Sequence, residues 1–310
     1  MSVLSSKEFH DEQSAVAFVE AHVWTDGPVC PRCGSMDRIG ALNGKSTRIG
    51  TYKCYECRKP FTVKIGTIFE DSKVPMHLWL QAMYLICACK KGISANQLHR
   101  TLGVTLKTAW FMGHRIREAM RTGNMMPFGT GGGVVEIDET FIGNDRSIKP
   151  KGEKKGRGYA HKFKVLSLVD RATGQARSAV VDDLKATSLM PILQKNIREE
   201  ANVMTDEAGQ YTHLRKHFAS HCVVHHNRGE YGCGETHTNT IEGYFSIFKR
   251  GMKGIYQHCS KRHLHRYLAE FDFRYNNREA NGLSDPERFA IMLPGVVGKR
   301  LTYRDSFVSV

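Results

Sequence analysis

The chain has 310 residues, 41% of them hydrophobic, with 45 Lys and Arg against 31 Asp and Glu and a formal net charge of +14. That length admits two or three domains with real cores, and the basic excess suits a polyanionic partner bound through counterion release. No apolar run approaches the length of a membrane span and the first residues lack the hydrophobic segment of a secretory signal, so membrane and secreted classes are disfavoured and a cytosolic protein is expected.

Nine cysteines in such a chain argue against a disulfide framework. Four have a better explanation. Cys30-Pro31-Arg32-Cys33 and Cys54-Tyr55-Glu56-Cys57 are two C-x-x-C knuckles with 20 residues between them (34 to 53), the spacing of a four-thiolate structural zinc site. Arg32, Lys53, Arg58 and Lys59 flank the thiolates, and Tyr52 and Phe61 can floor a small zinc ribbon. Redox pairs or free thiols are the alternatives. Cys87, Cys89, Cys222, Cys233 and Cys259 lack ligand spacing. The run of His213, His217, His221, Cys222, His225, His226, Cys233 and His237 yields no compact four-ligand set and reads as a phosphate-facing surface.

After the ribbon, Pro75 introduces a helix-length apolar segment, residues 76–89. Ser94 caps a short helix to Leu102, Gly103-Val104 is a turn, and Thr105 opens a longer basic helix from Leu106 to about Arg121. This is the layout of a helix-turn-helix, whose last helix would present Lys107, Arg115 and neighbouring His114, Arg117 and Arg121 to a DNA groove. A plain helical linker is the alternative. Gly129, Gly131, Gly132 and Gly133 then mark a flexible hinge.

Beyond it, residues 134–141 form a β-branched strand carrying Glu136, Asp138 and Glu139. Residues 149–158 hold five basic residues against one acid, including Lys154, Lys155 and Arg157, and could grip phosphate. A hairpin follows (161–170 and 175–181), then a helix near 187–199, a short strand ending in Asp206, a short helix near 211–218 and a small strand at 222–225. The last helix, 239–253, has Ile241, Tyr244, Phe245, Phe248 and Met252 on one stripe and Asn239, Glu242, Ser246 and Lys249 opposite. Three strands, helix, strand, helix, strand, helix is the order of the ribonuclease-H-like fold. It brings strand-end carboxylates to one edge of an open sheet.

Asp138, Asp206 and Glu242 are therefore the candidate metal-binding trio. Asp206 and Glu242 are separated by 35 residues (207 to 241), a gap familiar in enzymes that process phosphodiesters with two metal ions. Glu136, Glu139, Glu207, Asp170, Asp182 and Asp183 are rivals, Asp170 reading better as a turn residue.

Together the two cysteine knuckles, Val135-Glu136-Ile137-Asp138-Glu139-Thr140, Thr205-Asp206-Glu207, the block from His237 to Gly251 and the stretch Leu264 to Asn276 resemble insertion-sequence transposases of the ISXO-like group. The resemblance spans nearly the whole chain. It implies a multidomain α+β and α/β protein: zinc ribbon with an N-terminal helix (1–70), helix-turn-helix-like segment (71–127), ribonuclease-H-like DDE catalytic domain (128–285) and C-terminal tail (286–310). It further implies Asp138 and Asp206 as ligands of Mg²⁺ or Mn²⁺. Glu242 is favoured as the third, because an anion binds a hard cation better than an amide does, with Asn239 as accessory or alternative. Lys249 and Arg250 would steady DNA phosphate. The expected partners are double-stranded DNA, both terminal inverted repeats and target, and a second or further copies of the chain on that DNA. The expected location is the prokaryotic cytoplasm, at the nucleoid. A zinc-ribbon regulator without chemistry and a ribonuclease-H-like nuclease without strand transfer are the alternatives.

Overall fold

The structure, a computed structural model, describes residues 2–121, 123, 125–145, 159, 161–224 and 237–303. In chain order the principal elements are α1 (Glu12–Val23), β1 (Ile39–Ala41), β2 (Tyr52–Cys54), β3 (Pro60–Phe61), α2 (Met76–Ala88), α3 (Ala95–Leu102) and α4 (Leu106–Ala119). Then come β4 (Val134–Ile142), β5 (Phe163–Asp170), β6 (Gln175–Val181), α5 (Ala186–Asn196), β7 (Asn202–Asp206), β8 (Ser220–Val224), α6 (Asn239–Gly251), α7 (Lys261–Asn276) and α8 (Asp285–Met292). They divide into two units, Met1–Arg121 with Arg278–Ser309, and Thr122–Asn277.

In the first unit, Asp11 caps α1 by accepting the Ser14 N–H at 2.7 Å. Strands β1, β2 and β3 form an antiparallel sheet with Ile39 opposite Cys54 and Tyr52 opposite Phe61. Trp24, Tyr52 and Phe61 pack together, the expected aromatic floor. Farther along, the Ser94 hydroxyl caps α3 and the Thr105 hydroxyl caps α4. Between them Gly103 takes the left-handed conformation (φ +68°) that turns one helix into the next.

The helix-turn-helix outline is therefore present, but α4 is no wholly exposed basic rod. Only its first turn, Leu106 and Lys107, is exposed. Met112 to Arg117 are all buried. Arg115, expected at DNA, is 6% exposed and donates to the carbonyls of Ile68 (2.9 Å), Glu70 (2.8 Å) and Leu301 (3.0 Å). Those bonds use the guanidinium to satisfy carbonyls of two other segments, so Arg115 braces the unit and does not face a groove. His114 and Arg117 are likewise buried.

The expected C-terminal tail is instead part of this unit. A Ser284/Glu287 capping box starts α8. Phe289 packs among Phe9, Phe18 and Tyr84, and Arg288 donates to the Cys87 carbonyl at 3.0 Å.

The second unit is a five-stranded sheet in the order β6-β5-β4-β7-β8. Strand β4 is antiparallel to β5 and parallel to β7; β6 extends the antiparallel side and β8 the parallel side. Alternation along the strands separates two cores. Val135, Ile137, Leu166, Leu168 and Val203 pack with Leu189 and Leu193 of α5. Val165, Val169 and Ala176 face Ile241, Tyr244, Phe245 and Phe248 of α6 and Leu264, Tyr267 and Phe271 of α7. A mixed sheet with helices on both faces in this order is the ribonuclease-H-like architecture.

Three local expectations change. Residues 211–218 form two 3-10 turns, Gly209–Tyr211 and Leu214–Lys216, in place of one short helix. Helix α6 ends at Gly251 and passes into a π-turn, Met252–Tyr256, where Gly251 and Gly254 weaken helical continuation. The glycine hinge is a pinned turn: Gly129 donates to the Asp170 carboxylate at 2.9 Å, and the Asn202 amide donates to the Gly132 carbonyl at 2.6 Å. A Cβ on Gly129 (φ +78°) would lie 2.3 Å from that of Ala201, so glycine is required there.

Candidate active site and zinc centre

In the ribbon, the hairpin between β1 and β2 and the knuckles bring Cys30, Cys33, Cys54 and Cys57 together, their Sγ atoms all within 4.8 Å of one another. Cys30 and Cys57 Sγ are 3.7 Å apart, Cys33 and Cys54 3.6 Å. Four Zn–S bonds of about 2.3 Å define a tetrahedron with S···S edges of about 3.8 Å. The donor set and its dimensions fit zinc.

The sheet assembles the acids differently. Glu136 lies level with Met204 on the neighbouring parallel strand. Carried two residues on, that register brings Asp138, in the middle of β4, alongside Asp206, the last residue of β7. Both point to the α6 side, since Val135, Ile137 and Val203 point to the other. Asp138 accepts the Glu139 N–H at 2.7 Å, and Asp206 accepts the Ala208 N–H at 3.0 Å. Burial pushes the Asp138 carboxyl up to about 7, and repulsion from Asp206 and Glu139 adds to it, while the Glu139 N–H and the Lys249 ammonium pull it down. Asp138, Asp206 and Lys249 therefore share one electrostatic neighbourhood.

Asn239 and Glu242 are exposed near the start of α6, and Glu242 accepts a 3.3 Å bond from the Thr238 hydroxyl. Among the described residues, the cysteines are the one group of three or more Cys, His, Asp or Glu whose ligand atoms gather within 4.8 Å. Glu242 is thus on the facing helix without being drawn into a tight cluster with the two aspartates. Hard carboxylate oxygens on facing elements are nonetheless the donor chemistry that Mg²⁺ or Mn²⁺ takes.

Of the rival acids, Glu139 points to the opposite face, where it accepts from the Tyr211 hydroxyl and from Gln210 Nε2 (3.0 Å). Burial raises its carboxyl, which the Tyr211 and Gln210 bonds partly offset. Asp170 closes its turn by accepting the Thr173 N–H at 3.0 Å. Glu136, the first of the rivals named from sequence, is fully buried. It accepts Arg171 Nε–H at 2.6 Å and the Ile241 N–H at 2.9 Å, and lies 3.4 Å from His237 Nδ1. A polar residue at period two inside a core-facing strand was the signal: a carboxylate there demands a cation.

Among the expected phosphate contacts, Lys249 is exposed, with Nζ 5.6 Å from the Phe245 ring centre. Arg250 is exposed and folds back onto Ser246, at 3.0 Å to its carbonyl and 2.7 Å to its hydroxyl. Lys107 lies 4.5 Å over the Tyr303 ring. Lys154, Lys155 and Arg157 lie outside the described residues. His217 bonds Gln194 and His221 bonds Thr205. No helix among the described residues is long and apolar enough to cross a membrane.

Comparisons with known proteins agree with this architecture. Residues 131–276 match the ISXO2-like transposase domain, and residues 10–60 match the transposase zinc-ribbon domain. The chain is 29% identical over 280 residues to a protein in the transposable element ISH50 of Halobacterium salinarum, covering 86% of this chain and 92% of that one. A transposase-like protein of Haemophilus influenzae is 24% identical over 110 residues, 33% of this chain and 81% of that protein. With a transposase zinc ribbon ahead of an ISXO2-like sheet domain, the chain belongs to the ISXO2-like (IS1595) family of insertion-sequence transposases.

Proposed function

We propose that the protein cuts DNA at the ends of its insertion sequence and joins the freed 3′ ends to target DNA, using Asp138, Asp206 and Glu242 as the acidic ligands of Mg²⁺ or Mn²⁺. The observation that carries this reading is the parallel register of β4 and β7, paired as far as Glu136 and Met204, which carries Asp138 and Asp206 onto the face covered by α6, with Asp206 and Lys249 both acting on the Asp138 carboxyl. A divalent cation bound there supplies Lewis acidity to the entering and leaving oxygens of an in-line displacement at phosphorus. Asp138 and Asp206 hold the cation from the sheet side, and Glu242, with Asn239 as accessory, closes the site from α6. Lys249, two turns along the same helix, neutralises phosphate charge, and Arg250 binds the adjoining backbone. The ribbon, with its zinc, and the exposed start of α4 at Lys107 bind the terminal repeats. Because two ends must be processed together, the working form is a dimer or larger assembly on DNA, in the cytoplasm at the nucleoid.

The test is a cleavage and strand-transfer assay with purified protein, Mg²⁺ or Mn²⁺ and the DNA flanking its own gene, with Asp206→Asn as control. Joined products that vanish in the control establish the reading. Nicks without joining indicate a nuclease, and end binding without metal-dependent chemistry indicates a regulator.

A further inference from the structure

Strand β4 carries three acids in four positions, Glu136, Asp138 and Glu139, and the proposed chemistry uses only Asp138. The other two are not idle surface charges. Burying a carboxylate costs several kcal/mol per ion unless it is well paired, and Glu136 has no exposed surface. One of its oxygens takes the Arg171 Nε–H at 2.6 Å; the other takes the backbone N–H of Ile241 at 2.9 Å. Arg171 reaches on to the His237 carbonyl at 2.5 Å and His237 Nδ1 at 2.9 Å, and its own N–H donates to the Val134 carbonyl at 3.0 Å.

Ile241 is the third residue of α6, the position whose N–H a capping side chain normally satisfies. Thr238, the residue ahead of the helix, makes no such cap, its hydroxyl going to Glu242 instead. Glu136 therefore caps α6 from the neighbouring strand, with the helix dipole favouring its negative charge. Its backbone is two residues, about 7 Å, from Asp138, and the amide it holds is next to Glu242 and two residues from Asn239.

Glu139 does the equivalent on the opposite face. It takes the Tyr211 hydroxyl and the Gln210 amide (3.0 Å), both in the turn that follows Asp206, a turn in which Asp206 itself accepts the Ala208 N–H.

We infer that Glu136 and Glu139 are positioning residues: from either side of Asp138 in one strand, Glu136 fixes the first turn of α6 and Glu139 fixes the turn after Asp206. The inference rests on the reading of Asp138, Asp206 and the start of α6 as one metal site. The strand thus supplies one ligand and the anchors of the others, setting their spacing through short side chains.

The variants are Glu136→Gln, which keeps an acceptor but removes the charge that holds Arg171, and Tyr211→Phe, which removes one hydroxyl. Mn²⁺ alone is the probe, its binding to the full-length protein followed by electron paramagnetic resonance, with Asp206→Asn defining the site-specific part. Removing a group that orients a metal ligand through a hydrogen bond weakens metal binding about 10-fold or more. Both variants should show that loss while binding end DNA as wild type does; Tyr211→Phe should melt close to wild type and Glu136→Gln lower, because Arg171 loses its buried partner, and in metal-free Glu136→Gln the Ile241 amide should exchange with solvent at least ~10-fold faster. Mn²⁺ affinities within about twofold of wild type would overturn the inference, as would a Tyr211→Phe loss that merely tracks a fall in melting temperature. Should Glu136→Gln fail to fold, Tyr211→Phe decides alone. If Asp206→Asn leaves Mn²⁺ binding unchanged, the site reading itself is wrong and the inference falls with it.

Discussion

In the ribbon, four Sγ atoms lie within 4.8 Å of one another, and the apolar material around them is little more than Trp24, Ile39, Tyr52, Phe61 and Ile65. In the sheet unit, Asp138 and Asp206 share a face but Glu242 stays on the exposed side of α6, while two full cores close above and below the strands. Thiols are neutral at assembly and pack as small hydrophobes, so they can converge and serve as core. Carboxylates repel and desolvate badly, as the raised Asp138 carboxyl records. They are held in place by a fold that is complete without them. The ribbon thus depends on its thiolates for structure, whereas the sheet lends its structure to the carboxylates proposed as ligands, which its fold does not need.

The sharpest break of that contrast is Cys54→Ser. Structural zinc in small ribbons is worth roughly 10–16 kcal/mol, so this variant should lose its zinc by metal analysis and its Tyr52–Phe61 amide protection. The amides of β4 and β5 should stay protected, and faster exchange there would show that the sheet depends on the ribbon. Asp206→Asn should do the reverse. Cleavage should fall on the order of 10³-fold, the scale of losing a group that acts on the transition state. Thermal stability of the sheet unit should hold or rise, because repulsion on Asp138 is relieved; a marked fall would mean that Asp206 is structural.

Next in size is Arg115→Ala, which leaves three carbonyls without their donor and should cost about 3 kcal/mol in denaturant unfolding of the first unit. Below the melting range its affinity for end DNA should match wild type, whereas a DNA-reading arginine would lose affinity and keep stability.

A buried acid of comparable weight lies in the sheet unit. Burial raises Asp272 to about 6 from 3.8, against the bonds it accepts from the Tyr244 hydroxyl and from Ser178. A raised folded-state value means its contribution to stability is fully present below about pH 4 and is lost as pH climbs through about 6. The stability of wild type relative to Asp272→Asn should therefore decline by up to about 3 kcal/mol between those limits and then level off. Smallest of all, Lys107→Ala and Arg250→Ala should each weaken end binding a few-fold and reduce the salt slope by about 1.

Much of this was readable from sequence because the relevant patterns are local. Cysteine spacing, the β-branched run around Asp138, the Asp-Arg-Ala-Thr-Gly turn and the stripe from Ile241 to Phe248 each declare themselves within a dozen residues. What was not readable depends on partners far along the chain. Arg115 looks like a solvent-facing base on a helix until carbonyls 45 to 186 residues away claim it. Glu136 looks like a spare acid until Ile241, 105 residues on, supplies an orphan amide. Residues 286–310 looked like a tail because an eight-residue helix carries little pattern; Phe289 gains its meaning from Phe9, Phe18 and Tyr84.

That last segment alters how the protein is made. The carbonyl of Cys87 waits for Arg288 across 201 residues, roughly 10 to 40 s of translation. In that interval every strand of the five-stranded sheet leaves the ribosome, while the Tyr84 side of α2 still lacks Phe289. The nascent chain can finish the unit in the middle of its sequence before the unit with which it began. A chain truncated between Asn277 and Arg288 would thus hold an intact sheet unit beside an unfinished amino-terminal unit.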